Sequence, residues 1–184
     1  MGDRDLVNLK TNYLYEYLSS DNVELPDGYS LKVFTPSIIS PFLSLKNKSG
    51  FADDYHNLWV EVRWAVASLF RYQIYYLEKS GEIVHTSYVS SKSFKFPFMK
   101  KGDYHIGPCH TADSERGKGL YPMVLKNICK EKSTENNHIY MIVEDSNKSS
   151  HFGVLKAGFE RKSRLQKTRY LKKYYPVFDK EEDK

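Results

Sequence analysis

Aromatic and polar side chains alternate near the start of the chain, and this period of two residues predicts a β-strand over residues 12–18. Pro26-Asp27-Gly28 predicts a turn, after which residues 29–35 form a second strand-like run. Two further runs, over residues 72–78 and 83–90, flank a short polar stretch with a glycine that is typical of a β-hairpin. The pattern therefore predicts that strands dominate the first half of the chain.

One helix is predicted between these strands. Asp53-Asp54 can cap the N-terminus of a helix. The apolar residues after this pair recur with the spacing of one helix face. The residues of this face are Tyr55, Leu58, Trp59, Val62, Val66, Leu69 and Phe70. Residues 36–50, in contrast, predict irregular chain or a short helix.

The second half of the chain alternates strand-like and helix-like runs. Residues 104–111 predict a strand, and an amphipathic helix follows it. Residues 138–143 are nearly all apolar, as expected of a parallel strand that is buried on both faces. Residues 160–167 and 168–175 predict a closing antiparallel pair. This order of elements predicts a mixed α/β fold, in which helices cover both faces of a central sheet.

The turn between the strand at 104–111 and the next helix has the composition of an anion-binding loop. Gly117 and Gly119 precede the helix N-terminus, where unpaired N–H groups and the helix dipole favour an anion. Arg116 and Lys118 add positive charge. The spacing matches neither the P-loop nor the three-glycine dinucleotide fingerprint. We interpret the loop as a cradle for a pyrophosphate group, and the alternative is a plain turn.

A second motif follows the apolar strand. Asn147 and Ser150 form an Asn-x-x-Ser pattern, and Gly158-Phe159 begins eight residues after the serine. Together with the loop Ser114–Gly119, these residues resemble the GNAT superfamily of acyltransferases. The signatures of that family are Gln/Arg-x-x-Gly-x-Gly/Ala and Asn-x-x-Ala/Ser followed by Gly-Phe. The resemblance covers residues 73–169 and is weak before them.

The resemblance implies a mostly antiparallel sheet with a splayed parallel pair. It also implies transfer of an acetyl or other short acyl group from acyl-coenzyme A directly to an amine or hydroxyl acceptor, without a metal. The loop would hold the pyrophosphate, main-chain atoms at the strand end would hold the pantetheine and thioester, and the asparagine would bind the pantetheine arm. The implied cofactor-binding residues are Cys109, His110, Thr111, Arg116, Gly117, Lys118, Gly119, Leu120 and Asn147.

Two positions depart from the resembled signatures. Ser114 occupies the place of the usual Gln or Arg, although Arg116 keeps a cation directly before Gly117. Val154 occupies the place where the family often has a tyrosine that protonates the departing thiolate. The general acid is therefore not identified by the sequence.

His105 is our candidate for the general base, because it matches the position of the strand carboxylate that serves as base in some family members. A neutral imidazole can accept a proton near neutral pH. Strand alternation places His105, Gly107, Cys109 and Thr111 on one face. The alternative for His105 is a histidine without a catalytic role, and His85 is a further candidate for the base.

Composition limits the class of protein. The chain has 184 residues and a net charge of +5, and we predict a single domain over residues 1–178 with a disordered charged tail over 179–184. A mean hydropathy of −0.60 and the lack of a long apolar run predict a soluble protein without a membrane span. Cys109 and Cys129 lack the spacing of a zinc site. We therefore predict that both are reduced thiols and that the protein is cytoplasmic.

The sequence says less about the partner or acceptor of the protein than about its cofactor. The basic residues are scattered, which argues against nucleic acid and suits attraction of the anionic coenzyme A. A small-molecule acceptor is favoured, a sugar or sugar nucleotide among them, and a protein acceptor stays open. The second interpretation is a non-catalytic coenzyme A-binding or interaction module. The oligomeric state does not follow from the sequence.

Overall fold

A computed structural model describes residues 11–21, 23–35, 72–168 and 171–177. Its strands are β1 (Asn12–Tyr17), β2 (Tyr29–Phe34), β3 (Tyr72–Lys79), β4 (Glu82–Ser91), β5 (Tyr104–Thr111), β6 (Ile139–Glu144), β7 (Phe159–Lys167) and β8 (Tyr174–Val177). Its α-helices are α1 (Leu120–Lys132) and α2 (Lys148–Lys156), and a short 3-10 turn spans Asp113–Glu115. The helix predicted over 55–70, the segment 36–50 and the tail over 179–184 lie outside the described residues.

The strands form one sheet in the order β2-β3-β4-β5-β6-β1-β7-β8. All neighbours are antiparallel except β5 and β6, which are parallel. The predicted hairpin corresponds to β3 and β4, and the first strand of the predicted closing pair corresponds to β7. The second strand of that pair is β8 at Tyr174–Val177, which shares only two residues with the predicted range 168–175. The expectation of a mostly antiparallel sheet with one parallel pair is confirmed.

Strand β1 lies between β6 and β7, although it comes first in the chain. It pairs with β6 over residues 12–16 and with β7 over residues 12–17. Tyr13, Leu14 and Tyr15 are consecutive and are all less than 8% exposed, so this strand is buried on both faces. A strand buried in this way needs a neighbour on each edge to pair its backbone groups, and a central place in the sheet supplies both.

The parallel pair opens towards its carboxyl end. Strands β5 and β6 are paired only over Tyr104–Ile106 and residues 139–141. Beyond that point β5 remains paired with β4 as far as Thr111, while β6 remains paired with β1 as far as Glu144. The glycine loop follows the end of β5 and Asn147 follows the end of β6. Both sequence motifs therefore lie at the same edge of the sheet, on the two sides of a gap.

Both described helices pack on one face of the sheet. The buried residues of α1, among them Val124, Leu125 and Ile128, join Ile106 and Met141 in the main hydrophobic core. Helix α2 contributes its own buried side chains to the same core. Neither of the described helices is long and apolar enough to cross a membrane.

Gly158 allows the close contact that joins the helical layer to β7. Its φ is +92°, and a Cβ atom there would lie 1.9 Å from the main-chain oxygen of Ser19. The N–H of Leu18 donates to the carbonyl of Gly158 at 3.1 Å. The glycine of the Gly-Phe pair is therefore required by backbone packing, since any side chain would push β1 away from β7.

Candidate functional site

The glycine loop curves through two residues with left-handed backbone. Gly117 has φ 78° and Gly119 has φ 77°, and Gly119 is the N-cap of α1. No side chain caps this helix, and the N–H groups of residues 117–119 donate to no acceptor among the described residues. A Cβ atom on Gly117 would meet nothing within 4 Å. The loop thus combines N–H donors that have no described acceptor with open space at Gly117, and such a helix N-terminus can bind an anion.

Each cation of the loop faces a carboxylate of the same loop. Arg116 Nη1 lies 2.9 Å from Asp113 Oδ1, and Lys118 Nζ lies 2.9 Å from Glu115 Oε2. Arg116 Nε also donates to the carbonyl of Thr111 at 3.1 Å. The Arg116–Asp113 pair is exposed on both sides and therefore weak, so Arg116 can turn towards an incoming phosphate at little cost. Lys118 is about half exposed, but its partner Glu115 is buried.

Glu115 anchors the loop to the first strands of the sheet. Its buried carboxylate accepts hydrogen bonds from the Tyr29 hydroxyl at 2.5 Å and from Lys79 Nζ at 3.0 Å, besides Lys118. These partners, Tyr29 first, then Lys118 and Lys79, lower the pKa of Glu115 to about 2. This role of Glu115 is not predicted by the sequence, because a glutamate in a charged loop has the pattern of an exposed side chain. Its partners come from β2 and β3, far away in the sequence.

Asn147 is the N-cap of α2. Its Oδ1 accepts the N–H of Ser150 at 3.1 Å and the hydroxyl of Ser149 at 3.0 Å. The side chain is exposed, and its NH₂ group has no partner in the described parts of the chain. One side-chain amide can therefore cap the helix with its oxygen and still donate to a ligand with its nitrogen.

His151 fixes the first turn of α2 against the sheet. Its Nε2 lies 3.1 Å from the carbonyl of Glu144, and its Nδ1 lies 2.7 Å from the hydroxyl of Tyr15. Since a carbonyl only accepts, we assign the proton to Nε2, and Nδ1 then accepts from the tyrosine. These contacts tie the start of α2 to the end of β6 and to β1, and the local sequence pattern does not predict them.

A bulge changes which residues of β5 share a face. Ile106 lies opposite Val89, whereas Cys109 lies opposite Ser87, so two residues of β5 face Tyr88 alone. Because Val89 and Ser87 point to one face of β4, Ile106 and Cys109 also share that face. The predicted simple alternation, with His105 and Cys109 on one face, is wrong. The extra residue reverses the alternation between them.

His105 lies on the sheet face away from α1 and α2. It is opposite Ser90, and its ring stacks on Phe96 with 4.3 Å between the centroids. Only 8% of the residue is exposed. Burial, with a smaller contribution from Lys95, lowers the pKa of His105 to about 4. The ring is therefore neutral at physiological pH and able to accept a proton.

A buried chain of polar groups lies on the helix face of β4 and β5. His85 Nδ1 is 2.7 Å from the Thr111 hydroxyl, and its Nε2 is 2.8 Å from the Ser87 hydroxyl. The Ser87 hydroxyl donates to Cys109 Sγ at 3.2 Å. Burial lowers the pKa of His85 to about 3, and burial raises the pKa of the Cys109 thiol to about 12. Both groups are therefore neutral, and the thiol is a poor nucleophile near pH 7.

The three residues at the end of β5 border the gap. Cys109 and Thr111 are half-buried and His110 is exposed. Their backbone pairs with β4 on one side only, because β6 has already diverged. Among the described strands none pairs with the other edge of β5 here, which leaves its backbone groups able to bind a ligand in the gap. No group of three His, Cys, Asp or Glu side chains in the described ranges is arranged to hold a metal ion.

Several solved structures share this architecture. An acetyltransferase of the GNAT family from Colwellia psychrerythraea is 15% identical with a TM-score of 0.58, and the match covers 85% of this chain and 54% of that protein. A GNAT-family protein from Novosphingobium aromaticivorans is 11% identical with a TM-score of 0.55, over 86% and 62% of the two chains. A GCN5-related N-acetyltransferase-like protein from Streptococcus suis is 13% identical with a TM-score of 0.54, over 87% and 61%.

These similarities establish that the chain has the GNAT fold, as the sequence motifs predict. The chain spans only 54–62% of the length of the three proteins described above. No family model matches the sequence, and no curated protein matches it. At identities of 11–15% the shared feature is the fold, and the activity has to be argued from the residues.

Proposed function

We propose that the protein is an acyltransferase that moves an acetyl or other short acyl group from acyl-coenzyme A directly to an amine or hydroxyl acceptor. The observation that carries this proposal is the gap between β5 and β6. The glycine loop, whose helix N-terminus has no side-chain cap, borders it on one side, and the exposed amide of Asn147 borders it on the other. The GNAT fold of the structural neighbours supports the same chemistry.

The residues around the gap fit acetyl-coenzyme A. The unpaired N–H groups of residues 117–119, with Leu120 at the helix start and the cations Arg116 and Lys118, would hold the pyrophosphate. Open space in front of Gly117 leaves room for it. The free edge of residues 109–111 would bind the pantetheine amides and polarise the thioester, and Asn147 would donate to the arm. When bound, this substrate supplies the acyl group in activated form.

We propose His105 as the base that accepts the proton of the acceptor amine or hydroxyl. It lies at the point where β5 and β6 diverge, since its neighbour Ile106 is the last paired residue of β5. It also lies on the face of the sheet away from α1 and α2. A small-molecule acceptor, an amino sugar among the candidates, would enter on this face.

Two measurements test the proposed function. Isothermal titration with acetyl-coenzyme A measures binding, and a thiol-release assay over amines, amino sugars and peptide amines measures transfer. We expect micromolar binding and turnover with at least one acceptor. Binding without turnover across the panel would instead support the non-catalytic coenzyme A-binding module. Absence of binding would overturn both.

Replacement of Asn147 separates its two roles. Asn147→Asp keeps an oxygen that caps α2 but loses the NH₂ donor, whereas Asn147→Ala loses both. We expect both variants to weaken acetyl-coenzyme A binding by about 1–2 kcal/mol. Only the alanine variant should also lose about 1 kcal/mol of stability, from the missing cap. Titration calorimetry and thermal melts distinguish the two effects, and an Asn147→Asp variant with unaltered affinity would remove the residue from the site.

His105→Phe is expected to lower kcat about 100-fold and to leave the affinity for acetyl-coenzyme A within twofold. Phenylalanine keeps a ring against Phe96 but cannot accept a proton. In the wild type, only the neutral imidazole is active, so the rate should rise with pH through about 4, the lowered pKa of His105. The variant should lose this rise. A variant that turns over within threefold of the wild type would show that His105 is not the base.

A further inference from the structure

Glu115, directly before the cations of the glycine loop, is a buried carboxylate that two lysines share. Its Oε1 accepts from Lys79 Nζ at 3.0 Å, and its Oε2 accepts from the Tyr29 hydroxyl at 2.5 Å. Lys118 Nζ lies 2.9 Å from the same Oε2. Hydrogen bonds from Tyr29, Lys118 and Lys79 lower the pKa of Glu115 to about 2, so the group is ionised at neutral pH. One negative charge therefore faces two positive ones.

The two lysines differ in how firmly they are held. Lys79 ends β3 and lies opposite Tyr29, the first residue of β2. Its Nζ donates to the Tyr29 hydroxyl at 3.1 Å as well as to Glu115, and it lies 4.9 Å from the centre of the Tyr29 ring. Lys118 belongs to the loop, and Glu115 is its one partner among the described residues. Lys79 is thus tied into the sheet, whereas Lys118 depends on a single ion pair.

The remaining partners of Glu115 decide whether Lys118 can leave it. A buried carboxylate that loses its only cation is left with an uncompensated charge, which is strongly unfavourable. When Lys118 turns away from Glu115, however, Oε1 keeps Lys79 and Oε2 keeps the Tyr29 hydroxyl. The carboxylate then still has one positive charge beside it and a donor on each oxygen. Lys118 is therefore the partner that Glu115 can lose.

We propose that Lys79 is a positioning residue for coenzyme binding, because it neutralises Glu115 and so frees Lys118 to bind the pyrophosphate. This assignment rests on the proposed function, in which Lys118 is a cation of the pyrophosphate loop. Lys79 acts through Glu115 and does not touch the coenzyme. Without the charge of Lys79, Glu115 would keep Lys118, and the loop would lose the use of a cation that is still present in the chain.

Isothermal titration with acetyl-coenzyme A tests this assignment in a set of variants. Lys79→Gln keeps a donor for Oε1 but removes the charge, and it should raise the dissociation constant about tenfold, the worth of one hydrogen bond to a charged group. Lys118→Gln should raise it equally. The two changes together should cost at most about twofold more than either alone, because both remove the same contact to the phosphate. Lys79→Gln/Glu115→Gln should return to within about threefold of the wild type, since no carboxylate then holds Lys118.

Lys32→Gln is the matched control for the lost charge. It removes an exposed lysine of β2 that pairs with Glu78, and it should bind within about twofold of the wild type. Lys79→Arg keeps the charge and should also bind normally, and thermal melts show which variants are folded.

Three results would overturn the role of Lys79 while the proposed function stands. The first is normal affinity of Lys79→Gln, and the second is additive losses when Lys79→Gln and Lys118→Gln are combined. The third is a loss in Lys79→Gln that Glu115→Gln does not rescue, since Lys79 would then touch the coenzyme itself or only hold the loop in shape. A wild type that does not bind acetyl-coenzyme A would overturn the proposed function as well.

Discussion

Gly117→Asp is expected to raise the dissociation constant for acetyl-coenzyme A by about 10²–10⁴-fold, equivalent to about 3–5 kcal/mol. Gly117 has φ 78° within the loop whose N–H groups are unpaired, and a side chain there would point into open space. The aspartate would place a negative charge where we propose that the pyrophosphate binds. Repulsion between these charges is poorly screened at close range. The fold should survive, because the new Cβ would meet nothing within 4 Å.

Two matched variants isolate the charge from the backbone effect. Gly117→Asn has nearly the same shape and also tolerates left-handed backbone, but it is neutral, so it should lose much less affinity. Gly102→Asp adds the same residue at another glycine with positive φ, before β5 rather than after it, and should bind normally. Titration calorimetry measures all three. Equal affinity of the aspartate and asparagine variants would remove the anion site from this loop.

The free energy of unfolding is expected to fall by about 3–4 kcal/mol between pH 7 and pH 5, because two buried histidines resist protonation. Burial lowers the pKa of His85 to about 3 and of His105 to about 4, against 6.5 for a free histidine. Below pH 6.5 the unfolded chain therefore binds more protons than the folded one. Protonation thus stabilises the unfolded state as the pH falls, by up to about 1.4 kcal/mol per pH unit for each histidine.

Urea denaturation at a series of pH values measures how the free energy of unfolding changes with pH. His105→Phe removes one of the two groups and keeps the ring against Phe96, so it should reduce the loss between pH 7 and pH 5 by about half. Because the pKa of Glu115 is lowered in the folded state, this carboxylate also makes the fold less stable as the pH falls, but over a more acidic range. A wild-type stability that is constant from pH 7 to pH 5 would contradict the burial of both histidines.

Strands β1 and β5 were predicted from local pattern, but their surroundings in the sheet were not. The period of two in residues 12–18 predicted a strand, because side-chain alternation is a local property. Its place between β6 and β7 was not predicted, since pairing partners are set by which buried faces meet in the whole sheet. Likewise, residues 104–111 form the predicted strand, but one bulge opposite Tyr88 placed His105 and Cys109 on different faces. The position of a bulge depends on the neighbouring strand.

The sequence alone determined most strands and both helices of the second half, the glycine loop, and the asparagine that caps α2. These features depend on contacts within a few residues: apolar periodicity, glycine's tolerance of positive φ, and a cap bonded to the N–H three residues on. Only the tertiary structure decided the anchoring of Glu115 by Tyr29 and Lys79, and the packing of the Tyr121 ring against Gly153. Those contacts join segments that are distant in the sequence, and they exist only because the sheet order brings β2, β3 and the two helices to one gap.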